Sequence, residues 1–234
     1  DRDAIRLTGL GASVGNVLYA VGYATDEKAQ TRWIVRQSAP DGRSWSTVDD
    51  FAYPLGRDTT PQGIAVDGAG TLYVAGYGEE LPAAGKMDRR LHWLVRQSRD
   101  GGRSWSTIDD FSYSFSARAT TILNTPGGLL VAGSGWNGKT DSGERWLVRK
   151  GTPDSAGSFH WQTVDEFQLK EDGHGFDSRA HGLGADAGGN LYAVGRSATA
   201  AGEATSVHWI VRRASSSGSD WATVDTYQLE SGRF

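Results

Sequence analysis

The apolar residues of this chain fall in short runs of four to seven residues that turn-forming residues separate. One run covers 72–76 and another covers 93–96. Branched and aromatic side chains dominate these runs, and no window keeps the 3.6-residue period of an amphipathic helix. Glycine, aspartate and asparagine lie between the runs, as at 67–70, which is the composition of tight hairpin turns. The pattern predicts an all-β chain of short antiparallel strands.

Three short signatures recur four times in the same order. A Leu-Tyr/Leu-Ala/Val-Val/Ala-Gly run stands at 18–22, 72–76, 129–133 and 191–195. A Trp-Ile/Leu-Val-Arg run follows at 33–36, 93–96, 146–149 and 209–212. A run that begins with Trp and ends with Thr-Val/Ile-Asp comes third, at 45–49, 105–109, 161–165 and 221–225. The Trp-Ile/Leu-Val-Arg copies are 60, 53 and 63 residues apart, so the chain consists of four repeats.

Each repeat reads as four strands, because a further short run precedes the three signatures. The repeats cover approximately 5–58, 59–116, 117–176 and 177–234, and their first strands are expected at 9–13, 63–67, 120–124 and 182–186. Four short antiparallel strands at this spacing are typical of a β-propeller blade. The predicted fold is therefore a β-propeller of four blades in a single domain, 1–234. Each blade needs neighbours on both faces, so the chain either closes as a monomer, which we favour, or forms half of a larger ring with a second copy.

The turn after the third strand of the second repeat carries a recognisable motif. Residues 98–105, Ser-Arg-Asp-Gly-Gly-Arg-Ser-Trp, resemble the Asp-box of the BNR/sialidase-type bacterial propeller family, and 38–45 is a degraded copy. In that family the aspartate caps the turn and the tryptophan packs between strands. The resemblance implies structural roles for Asp100, Trp45 and Trp105, and an extracellular or periplasmic location. It leaves the activity open, because the motif occurs in sialidases, other glycosidases and non-catalytic propellers alike.

An arginine of the third strand and an aspartate of the fourth recur in every repeat. The arginines are Arg36, Arg96, Arg149 and Arg212, and the aspartates are Asp49, Asp109, Asp165 and Asp225. Cross-strand neighbours of opposite charge form ion pairs. Because a catalytic role would require four equivalent sites, we expect a structural pair within each repeat.

Composition excludes several classes of function. The 28 acidic residues outnumber the 24 lysines and arginines, giving a net charge of −4 without a basic segment, which argues against nucleic acid as a partner. No apolar run reaches the 18 residues of a membrane span, and the absence of cysteine excludes disulfides and thiolate chemistry. His174 and His181 flank the junction to the fourth repeat, but their spacing matches no established ligand pattern. We therefore predict neither a metal site nor a cofactor.

The loops that vary between repeats join the second strand to the third and emerge at one end of the predicted propeller. Binding residues are expected at this end. The candidates are Arg6, Arg118, Arg179, Tyr23, Tyr77, Trp136 and His181. The three arginines stand near the starts of the innermost strands, where together they would attract an acidic glycan or an acidic protein segment. Alternatively, they pair with carboxylates such as Asp58 and Asp177.

Two functional interpretations remain. The favoured one is a non-catalytic exported module that binds a glycan or protein partner, a monomer rather than a homo-oligomer. The alternative is a glycosidase- or lyase-like enzyme that uses carboxylates of the variable loops. Those carboxylates are Glu79, Glu80, Asp141, Glu144, Glu171 and Asp172.

Overall fold

A computed structural model describes residues 5–12, 16–81, 89–139, 143–171, 174–201 and 204–228. Over these residues all regular secondary structure is β-strand, and no helix is present that would be long and apolar enough to cross a membrane. The chain divides into two compact units, 1–124 and 125–234. The expectation of a single domain over 1–234 stays a prediction.

The first unit contains two four-stranded antiparallel sheets. The first sheet consists of β1 (Ile5–Ala12), β2 (Leu18–Thr25), β3 (Thr31–Ser38) and β4 (Trp45–Phe51). The second consists of β5 (Gly56–Val66), β6 (Leu72–Glu80), β7 (Arg90–Ser98) and β8 (Ser106–Phe111). Within each sheet the strands pair in chain order.

Two further four-stranded sheets follow along the chain. The third sheet consists of β9 (Ser116–Thr125), β10 (Gly128–Trp136), β11 (Arg145–Pro153) and β12 (Phe159–Phe167). A two-residue pair, β13 (Lys170–Glu171) and β14 (His174–Gly175), precedes the fourth sheet. The fourth sheet consists of β15 (Ser178–Ala185), β16 (Leu191–Ala201), β17 (Ala204–Ala214) and β18 (Ala222–Tyr227). The prediction of an all-β fold with four blades of four antiparallel strands is confirmed.

The first strand of each sheet begins several residues earlier than the sequence indicated. In β5 the register passes from Pro61 to Gly63 and leaves Gln62 as an extra residue. In β15 it passes from Ala180 to Gly182 and leaves His181 as the extra residue. Such a bulge shifts the alternation of side chains by one position. The residues before the bulge therefore do not continue the side-chain alternation of the residues after it, and the sequence pattern indicated only the later part of each strand.

Neighbouring sheets pack through a tryptophan of the third strand. Trp33 is fully buried, and a β-carbon added to Gly76 of the next sheet would lie 2.7 Å from its ring. In the second unit Trp146 lies against Gly195 of the following sheet at the same distance. Each ring also contacts a phenylalanine of its own sheet edge to face, Phe51 or Phe167, with centroids 6.2 Å apart. Glycine is needed at both positions because a side chain there would displace the tryptophan.

The recurring arginine and aspartate pair in a different way from the one expected. Arg96 donates from Nε and Nη2 to Asp49 of the preceding sheet, both at 3.0 Å. Arg212 donates in the same way to Asp165. The register slips before the arginine, so that Asp49 lies opposite Val35 and the arginine of the same sheet, Arg36, lies opposite Thr47. The ion pairs therefore join neighbouring sheets, not strands of one sheet.

Candidate functional site

The Asp-box-like turn between β7 and β8 is closed by Asp100. Its Oδ1 accepts hydrogen bonds from the backbone N–H of Ser104 and the hydroxyl of Ser98, and its Oδ2 accepts one from the hydroxyl of Ser104. Hydrogen bonds from Ser104 lower the pKa of Asp100 to about 2. The indole N–H of Trp105 donates to the carbonyl of Val48 in the preceding sheet. The carboxylate of Asp100 is thus bound within its own turn.

A second kind of link, missed in the sequence, connects the start of an innermost strand to the preceding sheet. Asp58 accepts a hydrogen bond at 2.7 Å from the backbone N–H of Thr31, and Asp177 accepts one at 2.9 Å from the backbone N–H of Glu144. Asp58 and Asp177 each stand five residues before a recurring glycine, Gly63 or Gly182. That matching position was the signal that would have identified them as equivalent.

In the second unit this link carries a charged cluster, which consists of Glu144, Asp177 and Arg179. Oε2 of Glu144 lies 2.7 Å from Nε of Arg179, and Oδ2 of Asp177 lies 3.2 Å from Nη2 of the same guanidinium group. The hydroxyl of Ser134 donates to Glu144 at 2.8 Å. The Glu144 side chain is 17% exposed and that of Asp177 is 47% exposed, so both are accessible from solvent to different degrees.

The geometry of this cluster resembles that of a catalytic carboxylate pair. Contacts this short to one planar guanidinium keep the two carboxylates within roughly 8 Å of each other, and glycosidases use separations of roughly 5–10 Å. At the matching link of the first unit Thr31 stands in place of Glu144. The repeat therefore does not require a carboxylate at the position of Glu144. Of these two links, the one in the second unit carries the carboxylate pair.

The first unit contains a different group of carboxylates, around His92. Nδ1 of His92 lies 2.8 Å from Asp110 and Nε2 lies 3.4 Å from Glu80. The hydroxyl of Tyr53 donates to Asp110 at 3.0 Å, and burial together with the charge of Asp110 raises the pKa of Tyr53. The imidazole of His92 therefore already lies between Glu80 and Asp110. The neighbouring Glu79 is buried and paired with Arg89 at 2.8 Å.

The predicted binding residues are divided between the two units. Arg6 is exposed and Tyr23 is half-buried, and both line a cavity beside β1–β3. Tyr77 is half-buried on β6, and Arg118 is half-buried on β9. Arg179 lies in the second unit and pairs with Glu144 and Asp177, the type of pairing named as the alternative. The convergence of the three arginines stays a prediction.

The remaining candidates lie in the second unit or outside the described residues. Trp136 ends β10, and its indole N–H donates to the carbonyl of Lys139 at 2.8 Å. His181 is the exposed extra residue of the bulge in β15. Asp141 and Asp172 fall outside the described residues, as do the side chains of Glu171 and His174. Among the side chains that are described, no three acidic or histidine groups are placed to hold a metal ion.

No protein-family model and no curated protein matches the chain in sequence. Solved structures do match it in fold. An α-L-arabinofuranosidase from Fusarium graminearum, in complex with an iminosugar inhibitor, matches with a TM-score of 0.65 at 11% identity over 96% of this chain and 66% of its own. A protein of unknown function from Dyadobacter fermentans matches with a TM-score of 0.63 at 11% identity, over 96% and 69%. A GH43_1 enzyme from Xanthomonas citri, complexed with xylose, matches with a TM-score of 0.51 at 12% identity, over 96% and 76%.

These comparisons correct the favoured functional interpretation. The expectation of a non-catalytic binding or scaffold module is wrong as the leading interpretation, because the characterised proteins among these matches are glycosidases. The chain spans about two thirds of the length of the arabinofuranosidase. At 11% identity the likeness concerns the fold alone, which is that of a β-propeller.

Proposed function

We propose that the protein is a glycosidase that hydrolyses pentose-containing glycans, with Glu144 and Asp177 as its carboxylate pair. The observation that carries the proposal is the contact of both carboxylates with the one guanidinium group of Arg179. The structural neighbours that act on or bind arabinose-like and xylose ligands support the substrate class.

The reaction requires two carboxyl groups in different states. One, as the acid, protonates the glycosidic oxygen while the bond from that oxygen to the anomeric carbon breaks. The other, as the carboxylate, either attacks the anomeric carbon or removes a proton from the water that does so. Glu144 and Asp177 differ in exposure, and such a difference in environment is how enzymes separate the two roles.

Arg179 is assigned a positioning role in this proposal. Its guanidinium donates to Asp177 through Nη2 and lies within ion-pair distance of Glu144 at Nε, which keeps both carboxylates beside one positive charge. Ser134 holds Oε2 of Glu144 from the second strand of the third sheet, and the backbone N–H of Glu144 holds Asp177. Both carboxylates are therefore held in place before a substrate binds.

The proposal includes membership of the Asp-box (BNR/sialidase-type) family and an extracellular or periplasmic location. Its support is the turn around Asp100, in which that aspartate binds Ser98 and Ser104 while Trp105 reaches the preceding sheet.

The experiment is hydrolysis of nitrophenyl α-L-arabinofuranoside and nitrophenyl β-D-xyloside by the wild type, Glu144→Gln and Asp177→Asn. Each substitution should lower kcat/KM by at least about 1,000-fold, within the range for removal of an acid–base group. Asp58→Asn is the matched control. Asp58 accepts the equivalent backbone hydrogen bond from Thr31 and has a threonine where Asp177 has Glu144, so its loss should leave kcat unchanged.

Two outcomes would overturn the proposal. One is the absence of hydrolysis of either glycoside by the folded wild type. The other is an equal loss of activity in Asp58→Asn and Asp177→Asn. That result would show that the hydrogen bond between sheets, and not a catalytic carboxylate, accounts for the loss. Azide added to Glu144→Ala and Asp177→Ala identifies the attacking carboxylate, because azide replaces a missing nucleophile and yields a glycosyl azide.

A further inference from the structure

A polar cavity lies within the second unit, beside the end of β16 and the start of β17. Its volume is about 330 Å³, and the lining residues that the structure describes all belong to this unit. This volume is at the lower end of the roughly 300–1,000 Å³ of small-molecule sites, which suits a ligand of the size of one sugar ring. The lining combines an apolar residue, two basic residues and three hydroxyl groups, from Leu169, Lys170, His208, Thr199, Ser206 and Thr226.

The group that corresponds to this cavity in the second sheet is filled by side chains. His92 corresponds to His208, because both residues directly precede the tryptophan of the third strand. The His92 imidazole lies between Glu80 and Asp110, at 3.4 Å and 2.8 Å. The Tyr53 ring lies beside it, with centroids 5.2 Å apart. The second sheet therefore surrounds its histidine with two carboxylates and a phenol.

The fourth sheet has smaller or uncharged residues at the same places. The correspondence follows from the strand register and from the distances along the chain to the recurring glycine and phenylalanine. By these criteria Thr199 corresponds to Glu80, Ser206 to Arg90, Thr226 to Asp110 and Leu169 to Tyr53. The replacements remove two carboxylates, a guanidinium group and an aromatic ring. They leave space beside the imidazole of His208, and hydroxyl groups around that space.

The cavity is basic although the chain as a whole is acidic. Lys170 contributes an ammonium group, and the described part of the lining contains no carboxylate. His208 adds an imidazole, whose Nε2 lies 3.2 Å from the hydroxyl oxygen of Thr199. With a net charge of −4 on the chain, a basic cavity of this kind concentrates anions at one place.

The mixture of groups indicates which anion fits. Hydroxyl groups both donate and accept hydrogen bonds, as the hydroxyl groups of a sugar do. The Lys170 ammonium is a single point charge, which matches one carboxylate, whereas phosphate is usually held by several arginines or backbone N–H groups. Leu169 provides an apolar wall for the C–H face of a ring. These features together favour a sugar that carries a carboxylate.

We propose that the cavity binds the ring of a uronic acid. The carboxylate of the sugar lies between Lys170 and His208, and its hydroxyl groups bond to Thr199, Ser206 and Thr226. The proposal assigns a binding site in addition to the carboxylate pair and requires no hydrolysis.

The cavity adjoins the carboxylate pair through β16. The backbone N–H of Ala198 donates to the carbonyl of Asp177 at 2.9 Å, and Thr199 is the next residue. Paired strands are about 5 Å apart and consecutive Cα atoms about 3.8 Å, so the backbones of Thr199 and Asp177 lie within roughly 10 Å of each other. A glycan that reaches the carboxylate pair can thus place a neighbouring uronic acid in the cavity. This last point alone rests on the proposed glycosidase function.

Binding is measured by isothermal titration calorimetry with D-glucuronate, D-glucose and acetate. Glucuronate should bind the wild type at a single site, and glucose and acetate should each bind at least about 10-fold more weakly, because each lacks one part of the recognised group. Free glucuronate has no glycosidic bond, so the measurement is independent of hydrolysis.

Two substitutions of similar shape test the role of charge in the cavity. Thr226→Asp places a carboxylate beside His208, as in the second sheet, and should raise the dissociation constant of glucuronate by at least about 10-fold. Thr226→Asn adds no charge and should change it by less than about 3-fold. Lys170→Met should also weaken binding by at least about 10-fold. Lys28→Met, at an exposed position of the β2–β3 turn, removes the same charge and should have no effect.

Four results would overturn the proposal. The first is the absence of saturable glucuronate binding by the folded wild type up to about 50 mM, well above the millimolar range of weak specific binding. Equal affinity for glucose would remove the role of the carboxylate, and equal affinity for acetate would remove that of the ring. Equal affinities of Thr226→Asp and Thr226→Asn would place the ligand elsewhere.

Hydrolysis of the nitrophenyl glycosides by the same preparation separates the two proposals. Glucuronate binding without hydrolysis would leave the uronic acid site standing and refute the glycosidase. Hydrolysis without glucuronate binding would refute the uronic acid site alone.

Discussion

Arg212 donates hydrogen bonds from Nε and Nη2 to the two carboxylate oxygens of Asp165, at 2.7 Å and 2.6 Å, and so joins the fourth sheet to the third. Both side chains are nearly buried, and burial raises the pKa of Asp165 although Arg212 acts in the opposite direction. Desolvation of this carboxylate is thus substantial, and its pairing with Arg212 offsets only part of that effect. Removal of either Arg212 or Asp165 should therefore lower the free energy of unfolding substantially.

Arg212→Ala should lower the free energy of unfolding by about 3–5 kcal/mol, because it leaves the buried carboxylate of Asp165 without its partner. Arg213→Ala is the control. Arg213 is exposed and donates to Asn190, so its removal should change the free energy by less than about 1 kcal/mol. Urea unfolding followed by circular dichroism measures both values, and equal losses would contradict the structural role of the recurring arginine.

Gly195→Ala should lower the free energy of unfolding by about 3 kcal/mol through overpacking. The added β-carbon would lie 2.1 Å from the carbonyl oxygen of Arg179 and 2.7 Å from the Trp146 ring. Gly184→Ala in the neighbouring strand is the control, because no atom lies within 4 Å of its added β-carbon. Thermal unfolding of the two variants should differ by several degrees, and a neutral Gly195→Ala would show that the ring is not seated as described.

The turn around Asp100 should make stability depend on pH in acid. Hydrogen bonds from Ser104 lower the pKa of Asp100 from 3.8 to about 2, so the folded form binds its proton less tightly than the unfolded form. Its stabilising contribution is fully present above pH 3.8 and is lost as the pH falls toward 2. The difference in unfolding free energy between the wild type and Asp100→Asn should decrease over this range. A difference that stays constant from pH 5 to pH 2 would exclude the lowered pKa.

Arg179→Lys tests the positioning role proposed for the arginine. A lysine keeps the positive charge but has a single ammonium group, which does not hold both carboxylates as the planar guanidinium does. We expect kcat to fall by about 100-fold, the usual cost of misplacing catalytic groups by about 1 Å. The melting temperature should stay close to that of the wild type. An increase in KM with kcat unchanged would instead assign Arg179 to substrate binding.

The four sheets could be predicted from the sequence, because each strand and turn is indicated by residues that are close together in the chain. The Trp-Ile/Leu-Val-Arg run and its neighbours are short, rich in branched and aromatic residues, bounded by turn residues and repeated four times, which favours strands at each of these places. The bulge at His181 was not predictable in the same way, since it depends on how β15 meets β16. The partner of Arg96 was also missed, because strand alternation describes contacts within a sheet and Asp49 belongs to the preceding one.

The carboxylate pair illustrates why a site is harder to predict than a fold. Glu144 stood among the candidate loop carboxylates, but Asp177 entered only as a possible partner of an arginine. The two are 33 residues apart, and the link that joins them runs through a backbone N–H, which has no sequence signature. Arg179 was assigned to an anion site for its charge, whereas its neighbours in space are themselves anions.

The four tryptophans at 33, 93, 146 and 209 provide the chain with an intrinsic fluorescent reporter. Three of these rings are shielded from water and the fourth is largely exposed. Shielded indoles emit at shorter wavelengths and resist soluble quenchers such as iodide, whereas an exposed indole emits at longer wavelengths and is quenched. Because the chain has nine tryptophans, the difference in emission between the wild type and Trp209→Phe isolates the signal of Trp209. That difference distinguishes, without any attached label, a chain whose last sheet faces solvent from one whose last sheet is covered.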